Sequence, residues 1–83
     1  MRKMKTKILT LSGVTFEGDA LAVNARTQSG EITLLDHHQP ILSVLAPNSR
    51  VRVETAEGKQ EEFATTRGFL HLDGNNELTI LVD

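Results

Sequence analysis

Residues 30–47 read GEITLLDHHQPILSVLAP, a polar loop between two apolar segments. The flanking segments, Glu31–Leu35 and Ile41–Leu45, have the length of an ordinary strand, about five or six residues. Pro40 has no backbone N–H to give to a sheet, and so it fits the position just before a strand begins. We therefore predict two strands joined by a loop at residues 36–40.

Downstream of this loop the sequence alternates with period two, which is typical of strands that bury one face. Residues 50–55 read RVRVET and place Val51 and Val53 on the opposite side from the charged residues. Gly58 then supplies a turn, because glycine adopts positive φ without a steric penalty. The return segment Gln60–Thr66 completes a predicted hairpin.

Four further segments have the character of strands. Gly68–Leu72 and Leu78–Val82 flank a turn and predict a second hairpin. Near the start of the chain, Lys7–Leu11 and Val14–Arg26 are predicted strands, the second with an irregularity at Gly18. No segment keeps apolar residues at helical spacing over about three turns.

The fold class that follows from this pattern is all-β. Residues 1–83 are predicted to form one domain, a small β-sandwich or flattened barrel of about eight to ten short, mostly antiparallel strands. A chain of this size buries about 60–65% of the surface that its unfolded form exposes, so we expect modest stability.

The composition argues against several functional classes. The absence of cysteine removes disulfides, thiolate metal sites and cysteine nucleophiles. Nine Lys and Arg against eleven Asp and Glu give a net charge of −2, and the only aromatic residues are three Phe. Because phosphate-backbone binding needs a basic surface and base stacking needs aromatic rings, we expect no nucleic-acid partner. No apolar run approaches the roughly 20 residues that span a bilayer, so we expect no direct membrane insertion.

The loop motif Asp36-His37-His38 resembles one motif of the DHH phosphoesterases, in which Asp and His bind a pair of metal ions. Hydrolysis by two metals needs several carboxylates and imidazoles around each ion. The chain has four Asp and no Asp-x-Asp pair, and its remaining histidine, His71, alternates with leucines on a predicted strand. A metal-dependent hydrolase is therefore the weaker alternative, and we predict no catalytic, cofactor-binding or metal-binding residue.

Four blocks of the sequence, taken in order, resemble those of one family. They are Phe16–Gly18, Gly30–Ser43, Arg67–Leu72 and Leu78–Asp83. In the N-terminal β-sandwich domain of the epsilon subunit of F-type ATP synthases (the mitochondrial counterpart is called delta), the first block reads Phe-x-Gly. The second runs from Gly-Glu-x-Gly into Pro-Gly-His-Ala-Pro, the third reads Gly-Gly-(Phe/Ile)-Leu, and the last ends near Val-Leu-Ala-Asp. The chain resembles this domain over nearly its whole length.

This resemblance implies a non-catalytic subunit in the central stalk of the synthase rotor, with no cofactor. Such a subunit sits at the foot of the gamma subunit and touches the polar loops of the membrane-embedded c-ring. It couples rotation of the ring to gamma through protein contacts. The implied location is peripheral, at the cytoplasmic face of the bacterial inner membrane.

The family's interface positions carry over to particular residues of this sequence. Those implied to face the c-ring are Glu31, Thr33 and His38. Those implied to face gamma are Ser12, His38, Ser43, Thr66 and Arg67. Glu31 is either a partner for basic ring loops or an ordinary exposed carboxylate. His38 is implied to share one loop end with Glu31, and it either joins the interface or holds its loop by a backbone hydrogen bond.

Three positions depart from the family pattern. Arg67-Gly68 stands for Gly-Gly, Asp36-His37 stands for Pro-Gly, and Thr33 replaces a glycine. These changes put bulky or charged side chains at expected contact surfaces, so we expect altered packing against the partners. Three apolar residues beside the implied gamma positions are expected to lie in the core, namely Ile41, Leu42 and Phe69.

Most family members continue past the equivalent of Asp83 into a two-helix hairpin that can inhibit ATP hydrolysis. This sequence stops at Asp83. On this chain we therefore expect no inhibitory helix and no nucleotide site. The residues also leave open a free-standing β-sandwich module that binds a small ligand or a carbohydrate, which the absence of Trp and Tyr disfavours.

Overall fold

The computed structural model describes residues 3–36 and 38–83. Within these residues the secondary structure consists of strands, with no helix. The all-β prediction is therefore confirmed. In chain order the strands are β1 (Met4–Thr10), β2 (Gly13–Thr27), β3 (Gly30–Leu35), β4 (Ile41–Val44), β5 (Ser49–Thr55), β6 (Gln60–Thr65), β7 (Gly68–Leu72) and β8 (Glu77–Val82). The described part of the chain contains no helix that could cross a membrane.

All of these strands belong to one sheet that folds over on itself along the long strand β2. Residues 13–20 of β2 pair with β1, whereas residues 22–25 lie between β3 and β5. The first layer of the sandwich is β4-β7-β8-β1 with the start of β2, and the second is β3, the end of β2, β5 and β6. A bridge between Thr27 and Leu45 joins the far edge of the first layer back to β2. Strands β1 and β8 are parallel, and the other paired strands are antiparallel.

The core lies between the two layers because successive side chains along a strand point to opposite faces. In β5 the side chains of Val51 and Val53 are fully buried, and the alternating Arg50 and Arg52 are exposed, as the alternation predicted. Fully burying a Val, Leu or Ile side chain contributes about 1.5–3 kcal/mol relative to leaving it exposed. The buried apolar cluster consists of Met4, Ile8, Ala20, Val23, Ala25, Leu34, Leu45, Val51, Val53, Leu70, Leu72, Leu78 and Ile80.

Two bulges bend β2, and neither lies at Gly18. The pairing of β1 with β2 skips Thr15, and the pairing of β2 with β5 skips Leu21. A bulge leaves one residue without a cross-strand partner and bends the strand, which lets β2 pass from one layer into the other. The prediction of an irregularity at Gly18 is wrong, because Gly18 pairs regularly with Thr6. Neither bulged residue has positive φ, so neither position requires glycine.

The connections between strands gather at two opposite ends of the sandwich. The turn end carries the connections at residues 11–12, 28–29, 45–48 and 66–67. The loop end carries the connections at residues 36–40, 56–59 and 73–76. Backbone hydrogen bonds hold these connections in place. The N–H of Asn48 donates to the carbonyl of Thr66 at the turn end (3.1 Å), and the N–H of Lys5 in β1 donates to the carbonyl of Asn76 at the loop end (3.3 Å).

Candidate partner-binding surfaces

Five apolar side chains form a row across the outer face of the first layer. Cross-strand partners present their side chains on the same face of a sheet, so residues that pair in succession line up. Such a chain of pairs crosses β4, β7, β8, β1 and β2 without interruption. The apolar row is Val44, Phe69, Leu81, Leu9 and Val14. Four of its members are exposed by 38–55%, and Leu9 is half-buried.

Further apolar surface adjoins the apolar row on two sides. Leu42, two residues before the β4 member, is 69% exposed, and Leu11 at the turn end is 96% exposed. An open groove of about 370 Å³ runs between Leu11, Phe69 and the end of β8. Apart from Leu42 at its β4 end, the next row along the same face is polar and contains His71 and Lys7. An apolar patch rimmed by polar residues is typical of a surface that binds another protein.

The exposure of Leu42 and Phe69 contradicts the expectation that they lie in the core. On β7 the inward positions are taken by Leu70 and Leu72, both fully buried, so Phe69 between Gly68 and Leu70 must point outward. Leu42 pairs with the outward-facing His71 and shares its face. The expectation holds for Ile41, which is partly buried and packs against the core.

The outer face of the second layer is mostly charged or polar, with Leu35 exposed at the loop end of β3. Glu62 lies between two arginines, with 2.7 Å from its Oε1 to Nη1 of Arg50 and 3.7 Å from its Oε2 to Nε of Arg52. Arg26 stands directly across the strand pair from Glu31. We call this surface the charged face. A groove of about 330 Å³ crosses it and is lined by all five of these charged side chains.

The residues implied to face the c-ring do not lie together. Glu31 and Thr33 are both exposed on β3 near the turn end, where Nδ2 of Asn24 donates a hydrogen bond to Oγ1 of Thr33 (3.0 Å). His38 lies at the loop end, beyond the other end of β3. Residues 31–35 of an extended strand span about 13 Å, so the expectation that Glu31 and His38 share one end is wrong.

The residues implied to face gamma are only partly clustered. Ser12, Thr66 and Arg67 are exposed at the turn end, next to the apolar row. Ser43 is half-buried on β4 and shares the inner face of the layer with Leu70, its cross-strand partner. Thus Ser43 itself does not point outward, whereas its apolar neighbours on either side do.

The pair Arg67-Gly68 shows why one of two family glycines is kept. A Cβ atom at residue 68 would overlap the carbonyl oxygen of Leu81, so the pairing of β7 with β8 requires glycine there. Residue 67 is exposed, and Arg67 reaches Oδ2 of Asp83 with Nε at 2.9 Å and Nη2 at 2.8 Å. The departure at Arg67 therefore leaves the sheet intact and adds an ion pair at the edge of the apolar groove.

The loop with the Asp-His-His motif is held by hydrogen bonds to its surroundings. Nδ2 of Asn76 donates to Oδ1 of Asp36 (2.6 Å) and to the carbonyl of Lys3 (2.9 Å), which ties the loop to the start of β1. Nδ1 of His38 donates to the carbonyl of Gln39 (2.7 Å), since a carbonyl oxygen can only accept. His37 lies outside the described residues, and within residues 3–36 and 38–83 no group of three His, Cys, Asp or Glu could hold a metal ion.

Sequence reasoning missed the apolar row, although a signal for it was present. Residues 78–82 read LTILV, and residues 41–45 read ILSVL. Apolar residues in succession along a strand place apolar side chains on both of its faces. The core takes up only one face, so the other face of the first layer is left apolar and exposed.

A family model described as ATP synthase, Delta/Epsilon chain, beta-sandwich domain matches residues 3–83. The chain is 32% identical over 74 residues to an ATP synthase epsilon chain of Sulfurihydrogenibium sp., which covers 89% of this chain and 54% of that protein. It is 32% identical over 83 residues to the ATP synthase epsilon chains of Corynebacterium urealyticum and Brevibacillus brevis, covering 66% and 61% of them. The chain thus spans 54–66% of the length of these relatives.

Solved structures show the same fold. A chain of the Euglena gracilis mitochondrial ATP synthase, from a structure of OSCP, F1 and c-ring, matches with a TM-score of 0.90 at 22% identity, covering 99% of this chain and 51% of that one. A chain from the central stalk and c-ring of the Tetrahymena thermophila mitochondrial ATP synthase matches with a TM-score of 0.80 at 19% identity, covering 98% and 63%. At these identities the likeness establishes the fold alone.

Proposed function

This chain belongs to the family of ATP synthase delta/epsilon β-sandwich domains, and we propose that it acts as a non-catalytic subunit in the central stalk of an F-type synthase rotor. In this role it binds the gamma subunit and the polar loops of the c-ring, and it couples rotation of the ring to gamma. The site of action is the cytoplasmic face of the bacterial inner membrane, where the subunit is held peripherally by its protein partners.

The single observation that carries this proposal is the apolar row. A free domain gains nothing from keeping four large apolar side chains 38–55% exposed, whereas a partner that covers them removes that surface from water at about 25 cal/mol per Å². Three implied gamma positions, Ser12, Thr66 and Arg67, stand beside the row at the turn end. We therefore assign the apolar row to the gamma interface.

The charged face suits a different partner. Glu31 is an exposed carboxylate near the turn end, which favours a basic group on a polar ring loop by charge complementarity. Thr33 stands two residues along the same strand and on the same face. This assignment gives each partner its own layer of the sandwich, with gamma on the first and the ring at the turn end of the second.

The sheet itself suits a subunit that transmits torque. Both layers share β2, and the bridge between Thr27 and Leu45 ties the far edge of the first layer back to that strand. A load applied to one layer therefore passes to the other through backbone hydrogen bonds as well as through the packed core. In the coupling role this lets the domain turn with the ring as one block.

The test is binding of the purified chain to the gamma subunit from the same genome, measured by titration calorimetry. We expect tight one-to-one binding, and we expect Phe69→Asp to weaken it at least 100-fold, because a carboxylate in an apolar interface loses its water. His71→Asp is the matched control, since residue 71 faces outward on the same strand but lies in the polar row. Its affinity should stay within about threefold of the wild type. A folded wild-type chain that does not bind gamma would overturn the proposed function.

A further inference from the structure

Leu11 is the most exposed large apolar side chain among the described residues, at 96%. It occupies the tip of the two-residue turn between β1 and β2, at the mouth of the apolar groove. We propose that Leu11 is an anchor that inserts into an apolar recess on the gamma subunit. This inference rests on the proposed function, because the partner is the one assigned there to the apolar row.

The hydroxyl group of Thr10 makes two hydrogen bonds within the turn that carries Leu11. Oγ1 of Thr10 accepts a hydrogen bond from the N–H of Ser12 (3.1 Å) and donates to the carbonyl of Gly13 (3.3 Å). Gly13 has φ of 126°, a region that favours glycine. A side chain presented by a preorganised turn loses little conformational freedom on binding, so more of its burial contributes to affinity.

The molecule contains the same turn a second time, with a different residue at its tip. Residues 10–13 read TLSG and residues 27–30 read TQSG. In the second turn Oγ1 of Thr27 accepts from the N–H of Ser29 (3.1 Å) and donates to the carbonyl of Gly30 (2.8 Å), and Gly30 has φ of 128°. Because Gln28 stands where Leu11 stands in the first turn, the turn geometry itself does not require leucine.

The surroundings of the two turns explain why one carries an apolar Leu11 and the other a polar Gln28 at the same position. The Gln28 turn leads into β3 and the charged face, and its backbone meets the β4 end of the apolar row where the N–H of Gln28 donates to the carbonyl of Val44 (3.0 Å). The Leu11 turn instead adjoins the groove between Phe69 and the end of β8. A single exposed leucine elsewhere on a surface would need no explanation. Here Leu11 continues a contiguous apolar surface past the edge of the sheet, which gives it the position of a projecting anchor on the gamma-facing layer.

The experiment measures gamma binding by the purified chain and by Leu11→Gln, which converts TLSG into the TQSG turn that this fold already contains. We expect an unchanged melting temperature and a loss of affinity of about 10- to 100-fold, the equivalent of failing to bury one leucine. Leu11→Met, which keeps an apolar side chain, should bind within about fivefold of the wild type. Gln28→Ala is the matched control at the twin turn and should bind gamma within about threefold.

The outcomes separate the anchor from the function on which it rests. Tight wild-type binding with a selective loss in Leu11→Gln supports the anchor. Tight wild-type binding that Leu11→Gln leaves within threefold overturns the anchor while the proposed function stands. Equal losses in Leu11→Gln and Leu11→Met also overturn it, because apolar insertion would spare methionine. A folded wild-type chain that does not bind gamma overturns the proposed function, and the anchor falls with it.

Discussion

The outer faces of the two layers differ sharply, although one sheet forms both and one core lies beneath both. The first layer exposes the apolar row, and the second exposes arginines and glutamates that pair across strands. Inward side chains must fill the core. Outward side chains are not constrained by core packing, so their chemistry can suit a binding partner. The difference indicates that the first layer is built to be covered and the second to stay in water or meet charge.

The largest effect should come from truncating an inward side chain of β7. Comparing it with truncation of an outward side chain on the same strand tests which residues form the core and which form the interface. Leu70→Ala should lower the free energy of unfolding by about 2–5 kcal/mol, since it leaves a cavity in the core. Phe69→Ala should change it by about 1 kcal/mol or less, because the ring already faces water. Urea denaturation measures both. Equal losses in the two variants would mean that the apolar row stabilises the domain and is not reserved for a partner.

A smaller effect should follow from reversing one charge on the second layer. Glu31→Lys should weaken binding to the c-ring roughly tenfold at low salt and less at high salt, because it turns an attraction into a repulsion that ions screen. The melting temperature should stay within about two degrees, since exposed charges contribute little to stability. Ring binding by the purified chain, measured at two salt concentrations, checks this.

The matched control for that charge reversal is Glu57→Lys, which changes the net charge equally but lies at the loop end. It should leave ring binding nearly unchanged. If both variants weaken binding alike, only overall charge matters and the charged face has no specific role. If neither does, Glu31 is an ordinary exposed carboxylate.

The smallest effect is expected at the loop end, which belongs to neither outer face. We expect no ion to bind here, so zinc or manganese at about 1 mM should leave the melting temperature unchanged. A bound ion would raise it, because it would stabilise the native state by mass action. Asp36 and His38 already make hydrogen bonds to Asn76 and Gln39. A rise of several degrees that Asp36→Asn abolishes would revive a metal-binding role for this loop.

Alternation in the sequence was enough to predict most strands, because a half-buried strand must repeat every two residues. It failed at the start of β1, which begins at Met4 and not at Lys7. There the inward positions are Met4 and Thr6, and a buried threonine between lysines does not read as apolar. The bulges at Thr15 and Leu21 have no local signature either, since ordinary backbone angles accommodate them.

The family resemblance supplied candidate partners, but it could not place their residues on the molecule. His38 and Glu31 lie close in sequence, and the strand between them carries them to opposite ends. Phe69 could not be assigned to a face, because a run of apolar residues does not say which of them point inward. That assignment depends on which strand lies on each side and on how the sheet folds, and neither is local in sequence.

The parallel pairing of β1 with β8 has a consequence for how the chain is made. Of the strands in the described residues, β1 leaves the ribosome first and β8 follows last. Until β8 emerges, one edge of β1 has no partner, and contacts between distant parts of a chain form slowly because closing the intervening loop costs entropy. β8 also brings Leu78 and Ile80 into the core. Synthesis therefore has to reach the end of this sheet before the sandwich can close, so the domain folds late and as a whole.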